Sequence, residues 1–451
     1  MPAVPKPRET LSVVDAMTII VGIVVGVGIF KTPSIVAASA DSEEMLILFW
    51  LAGGAVSLVG ALCYAELTST YPHAGGDYYY LHRAFGSTPA FLFAWARMAV
   101  IQTGSIAMAA FIIGDYASEV LRLGHYSSSS YAAFTIICLT VVNVAGIRQG
   151  KWTQRILTAG IILGLLIISA AGLFLAEPQT AAQAGSVLRG KAALGTAMIF
   201  VLLTYGGWNE AAFLSAEVRS TRRNMVKVLL FSIGTITIVY LLINLALVKS
   251  LGLSGMAGSP AVMTDLTRKV LGENGARFIS LLILLAALST MNGVIITGAR
   301  TNYALGQDYS LFGFLGRWQG QRNTPVNALM LQGGIAMLLV LIGTGTRDGF
   351  VMMVEYTAPV FWLFLLLVGI SIFVLRYKNP NFPRPFSVPL YPFVPLLFCL
   401  VCAYMLYSSL VYTGNGSLVG VGVLLAGIPV LVWQKKKNKN RNDYGSTKKE
   451  I

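Results

Sequence analysis

Two apolar stretches of the chain carry glycines where a membrane helix would pass the middle of a bilayer. Gly22, Gly26 and Gly28 interrupt the first, and Gly206 and Gly207 stand beside Trp208 and Asn209 in another. Glycine in an apolar helix is commonly a surface for close helix packing. Two interruptions at matching places favour a second reading, in which both helices unwind. Unwound backbone in hydrocarbon exposes N–H and C=O groups, a state tolerated only where the chain lines a cavity or a ligand. N–H groups at the start of a half-helix attract an anion, and carbonyls at the end of one attract a cation. The chemistry on offer is recognition of a molecule that carries both a carboxylate and an ammonium.

Holding such groups requires a scaffold inside the membrane. The 451 residues are 55% hydrophobic and 12% charged, with mean hydropathy +0.70, too little polar surface for a water-soluble globule. Apolar runs predict twelve transmembrane helices, over residues 13–37, 45–67, 89–119, 131–147, 153–175, 193–217, 227–249, 275–304, 325–343, 350–375, 389–412 and 417–433. A membrane β-barrel would need short alternating segments instead. The fold class is an all-α membrane protein. Its glycine-broken spans, one and six, open two consecutive five-span sets, 13–175 and 193–375, followed by two further helices over 389–433.

Charge follows the same topology. Of the 33 Lys and Arg, 23 fall in alternate loops and in the two tails, 1–12 and the basic 434–451, whereas eight fall in the opposite loops. This bias predicts a multi-pass plasma-membrane protein with both termini cytoplasmic. It also accounts for the net charge of +14 without nucleic acid. Cys63, Cys138, Cys399 and Cys402 all lie in apolar runs and read as small hydrophobes. His73, His82 and His125 lie near loops without ligand spacing, so neither a metal site nor an enzyme active site is expected. A cleavable signal peptide is not expected either.

Several motifs occur in a recognisable order: Gly26-Val27-Gly28-Ile29-Phe30-Lys31, Gly60-Ala61-Leu62-Cys63-Tyr64-Ala65-Glu66-Leu67, His73-Ala74-Gly75-Gly76-Asp77-Tyr78, Tyr205-Gly206-Gly207-Trp208-Asn209 and Asn292-Gly293. The segment Arg384-Pro385-Phe386-Ser387-Val388-Pro389-Leu390-Tyr391-Pro392 leads into span eleven. With these motifs nearly the whole chain resembles the amino acid–polyamine–organocation superfamily, and within it the L-type amino acid transporters and their bacterial relatives. The resemblance implies the leucine-transporter fold: a five-plus-five inverted repeat with helices 1 and 6 broken, plus helices 11 and 12. It also implies amino acid transport by alternating access, without a cofactor. By the family pattern the substrate carboxylate meets the N–H groups of Val27, Gly28 and Ile29, and its ammonium meets carbonyls near Ile23, Val201, Leu202 and Tyr205.

Other positions bear on selectivity and coupling. Gly206 stands where relatives that take cationic amino acids can carry an aspartate, so neutral substrates are favoured over cationic amino acids or polyamines. Leu203 falls where relatives often place a gating phenylalanine. An ion channel, the alternative of another class, would need polar rings along a pore. Glu66, Arg97 and Glu217 are gate candidates, although capping by arginines such as Arg219 or Arg222 also accounts for the two acids. Glu210 is a candidate to exchange a proton. Ile161 replaces the lysine that many relatives carry on span five. Ser289 and Thr290, with carbonyls of Gly22 and Val25, could complete an oxygen cage for Na⁺, leaving Na⁺ or H⁺ coupling open beside uniport and exchange. The loop over 122–131 has no cysteine, so no disulfide-linked heavy chain is expected.

Overall fold

The computed structural model describes residues 6–177, 191–344, 349–413 and 420–434, so the basic tail beyond Gln434 lies outside the described residues. The described chain is helical, and its extended pairings are two isolated bridges, Leu11 with Val218 and Gln319 with Thr324. The first five-span set runs through α1 (Val13–Val24) and α2 (Gly28–Ser39), α3 (Glu43–Thr70), the short α4 (Asp77–Phe85), α5 (Ser87–Ala96), α6 (Gln102–Val120), α7 (Ser127–Ala145) and α8 (Ile147–Phe174). The second runs through α9 (Lys191–Tyr205), α10 (Ala211–Leu214), α11 (Thr221–Ala257), α12 (Val262–Leu271), α13 (Glu273–Asp308), α14 (Val326–Thr344) and α15 (Gly349–Lys378), followed by α16 (Phe393–Thr413) and α17 (Gly420–Gln434). A short helix follows the second member of each set, α4 after α3 and α12 after α11, so the two halves match in element order.

Ten helices among the described residues are long and apolar enough to cross a membrane, and the pair α1 and α2, bent by 51°, makes eleven. The expected twelfth, α17, is apolar but shorter than the others. Large apolar side chains such as Ile156, Leu163, Leu341 and Val411 are more than half exposed on the outer surface, as a lipid solvent allows. Polar residues turn inward instead: Gln154, Ser289, Asn292 and Thr297 are fully buried.

Both expected breaks are present. Helix α1 ends at Val24 and α2 restarts at Gly28, while α9 ends at Tyr205 and a 3-10 turn over Trp208–Glu210 leads into α10. Gly207 makes the second break possible because it sits at φ +109°, a left-handed conformation that a side chain would strain. Span three contains a third irregularity, a π turn over Arg97–Ile101 between α5 and α6.

The end of the bundle that carries the N-terminus is closed by a strap. Leu11 N–H donates to the Glu217 carbonyl at 2.9 Å, and Arg219 N–H donates to the Leu11 carbonyl at 2.9 Å. Asn323, between α13 and α14, accepts from Arg8 N–H at 3.2 Å and donates to the Thr10 hydroxyl at 3.1 Å.

Candidate functional site

The structure brings the two breaks against each other. A Cβ on Gly207 would lie 2.8 Å from Ile23 Cγ2, and one on Gly28 would lie 3.2 Å from Thr204 Oγ1. Gly293 on α13 closes the third side, since a Cβ there would meet Ile23 Cγ1 at 2.3 Å. Glycine at these positions lets backbone replace side chain where three helices cross.

The polarity of the breaks follows from their hydrogen bonds. Gly26 N–H turns back to the Val24 carbonyl at 2.7 Å, and Phe30 N–H closes the first turn of α2 on Val27 at 3.1 Å. Between them the N–H groups of Val27, Gly28 and Ile29 donate to no backbone carbonyl among the described residues, and no side chain caps α2. Gly28 is exposed while Ile29 and Phe30 are buried, so these donors open onto accessible space. On the other break, Gly206 N–H donates to Leu203 at 3.1 Å, one residue short of helical register. Val201, Leu202 and Tyr205 are buried beside it, whereas Leu203 is 45% exposed and stands apart from them.

Tyr240 on α11 holds the two breaks in register. Its hydroxyl lies 3.0 Å from the Val24 carbonyl and 3.0 Å from the Thr204 carbonyl, the ends of α1 and α9. Tyr205 donates to the Trp50 carbonyl at 3.1 Å, and the rings of Trp50, Tyr205 and Tyr240 pack edge to face or tilted. Trp208 packs edge-on to Tyr64 at 5.2 Å across Gly60, where a Cβ would meet the indole at 2.4 Å. The glycine of the second motif is therefore the seat of the tryptophan in the fourth.

A family model described as amino acid permease matches residues 11–433, almost the whole chain. The chain belongs to the amino acid permease family. Among curated proteins, the permease is 30% identical to a large neutral amino acids transporter small subunit 2 of Mus musculus, over 97% of this chain and 83% of that protein. It is 27% identical to a b(0,+)-type amino acid transporter 1 of the same organism, over 90% and 83% of the two chains. A cystine/glutamate transporter of Pongo abelii is 28% identical over 95% and 86%.

The ionisable residues of the permease are paired differently from the arginine caps expected for its acids. Arg97, at the start of the π turn, makes a two-pronged bond to Glu210, with Nη1 to Oε1 at 2.9 Å and Nη2 to Oε2 at 2.5 Å. Neither Arg219 nor Arg222 caps Glu66 or Glu217. Glu66 binds Arg376 at 2.8 and 2.5 Å and accepts the Val388 N–H at 2.7 Å, which fastens span two to the linker before α16. Glu217 pairs with Arg300 of α13 at 2.5 and 3.0 Å directly beneath the strap. Sequence reasoning gave no role to Arg300, inside the expected span eight, and passed over Asp15, which caps α1 with Ser12 and binds Arg155 at 2.6 Å and Lys151 at 3.2 Å. The acidic residue in the first turn of a helix was the available signal for Asp15.

Around Gly22, Val25, Ser289 and Thr290, the residues named for an ion, the protein forms a buried hydrogen-bond network. The Gln154 amide of α8 donates to Ser289 Oγ at 2.8 Å and accepts from Asn292 Nδ2 at 2.8 Å, and Asn143 Nδ2 donates to Asn292 Oδ1 at 2.8 Å. Thr158 hydroxyl donates to the Thr18 carbonyl at 2.9 Å, and Thr290 hydroxyl is 3.3 and 3.2 Å from the Gly22 and Ile23 carbonyls. Gly22 makes room for this knot, since a Cβ there would meet Gln154, Thr158 and Ser289 all within 2.4 Å. Ile161 is fully buried on the same helix.

Proposed function

We propose that this permease carries neutral amino acids across the plasma membrane by alternating access, with the substrate at the meeting point of the two breaks. The observation that carries this reading is the set of unpaired N–H groups on Val27, Gly28 and Ile29, at the positive end of α2 and beside the carbonyl ends of α1 and α9. A zwitterion spans that geometry, its carboxylate on α2 and its ammonium toward carbonyls near Ile23, Leu202 and Tyr205. Gly206 supplies no carboxylate for a cationic side chain, and the large neutral amino acids transporter among the relatives supports the same preference. In proteoliposomes loaded by exchange, excess unlabelled alanine or leucine is expected to inhibit uptake of a labelled neutral amino acid, with lysine inert. Inhibition by lysine alone would overturn the assignment.

The charge bias supports a cytoplasmic strap end of the bundle, where Glu66, Arg97 and Glu217 hold the closed state. Spans one, two, six and seven rock against the rest about the central site. No heavy chain is disulfide-linked through 122–131. The Ser289 hydroxyl already bonds Gln154, and the Gln154 amide presents N–H hydrogens to the cage where a cation would need oxygen. Counterflow is therefore expected to proceed at the same rate in Na⁺ and in choline. A several-fold loss in choline would mean that the Gln154 knot opens to admit the ion.

A further inference from the structure

Beneath the second break lies a charged cluster with an unbalanced count. Arg97 and Glu210 neutralise each other through their two-pronged bond, and Arg97 also lies 3.8 Å over the ring of Phe213. Asp77, the first residue of α4, adds a second carboxylate: it is only 2% exposed and interacts electrostatically with both. Gly76 presses this turn against span six, since a Cβ there would lie 2.7 Å from Phe213 Cδ1. The Tyr64 hydroxyl and the Asn209 amide act on the Asp77 carboxyl, yet its Oδ1, the Tyr64 hydroxyl and Arg97 Nε make no hydrogen bond among the described residues. Two buried acids with one buried base leave either an uncompensated negative charge, which is costly away from water, or a bound proton.

The other charged and titratable neighbours do not balance it. Tyr80 on α4 and Tyr64 on α3 are buried phenols and bring no positive charge. On α15, Arg376 is committed to Glu66, and Lys378 donates to the Ala84 carbonyl at the far end of α4. Asp308 of α13 accepts from Tyr78. Span six supplies only Asn209 and Glu210.

We propose that Asp77 is a proton-binding site of the closed cytoplasmic face: the carboxylate takes up one proton when the face closes and releases it to the cytoplasm when the face opens and water reaches it. The site rests on the alternating-access reading above. Burial, opposed by Arg97 and reinforced by Glu210, pushes the Asp77 carboxyl up to about 7 in the closed state. An aspartate in water titrates near 3.9. A group whose affinity for protons is raised by closure favours the closed state below its raised value, and that advantage is lost as pH rises through about 7.

The test is exchange of a labelled neutral amino acid in proteoliposomes held at one pH on both sides. Exchange at pH 8 in the native protein tests the transport reading alone. Lowering both sides from pH 8 to pH 6 is expected to slow exchange by up to about tenfold as the closed face gains its proton. Asp77→Asn, a permanent stand-in for the protonated acid, is expected to exchange at a rate that no longer changes between those values. Asp77→Glu is expected to restore the slope. An Asp77→Asn profile that parallels the native one would overturn the proposal. Should that variant fail to insert, a native rate that is flat from pH 6 to pH 8 would overturn it equally.

Discussion

Replacing Gly28 by leucine is expected to abolish amino acid uptake while the protein still inserts in the membrane. A Cβ at this position would lie 3.2 Å from Thr204 Oγ1, 3.3 Å from its Cγ2 and 3.5 Å from its Cα. Contacts of that size ask Thr204 to give by a few tenths of an ångström, which its side chain can do, so Gly28→Ala should still fold and transport with a raised KM. Leucine adds three more carbons, and the exposed space in front of the α2 N-terminus is the room left for them. They would cover the N–H groups of Val27, Gly28 and Ile29. Hydrogen bonds to a charged group contribute about 1.5–3 kcal/mol each. Losing two of them corresponds to a fall on the order of 10²–10⁴-fold in uptake. Surface expression and elution as a single species would establish folding, and labelled uptake would read the loss. Normal uptake by Gly28→Leu would place the carboxylate elsewhere.

The parts of the site that the sequence revealed are those where glycine has a single physical reason to be present. Gly28 and Gly207 mark the breaks because the chain restarts as helix at or just after them, and Gly60 and Gly293 mark places where Trp208 and Ile23 press into a neighbour. Partners were harder to read. Glu66 and Arg376 are 310 positions apart, and Arg97 and Glu210 are 113 apart, so only the packing of spans decides which acid meets which base. The nearby arginines looked like the simplest partners because local spacing was all that could be seen. Helices α4 and α12 were missed for another reason: they mix aromatic, charged and apolar residues over nine and ten positions, too short for a hydropathy window. Gln154 hid within an apolar run, where one amide does little to the local pattern although its side chain links Ser289 to Asn292.

The same packing logic makes Arg300→Met the charge removal with the largest expected cost to stability. Arg300 is 1% exposed and Glu217 is fully buried, and the guanidinium also donates to the Ile296 carbonyl. Breaking a buried pair by deleting one partner costs about 3–5 kcal/mol, because the remaining charge is stranded. The exposed pair of Arg268 with Glu273 gives the contrast, since such surface pairs are worth about 0–1 kcal/mol. Arg268→Met should therefore melt close to the native protein. Burial pushes the Glu217 carboxyl above its ordinary value, and Arg300 is what opposes that shift. Without the arginine nothing opposes that shift, and a carboxyl raised by burial contributes less to folding as pH climbs through its folded value. The stability of Arg300→Met should consequently fall further as pH rises, whereas Arg300→Met with Glu217→Gln should recover part of the loss and its pH slope should flatten. Melting in detergent at pH 6 and pH 8 reads both effects. Because the Glu217 carbonyl also receives the Leu11 N–H, loosening this pair should release the strap as well, and proteolysis within residues 6–12 should quicken in the single variant but not in Arg268→Met. Equal melting of Arg300→Met and the native protein would show that the ion pair closes the face without holding the fold.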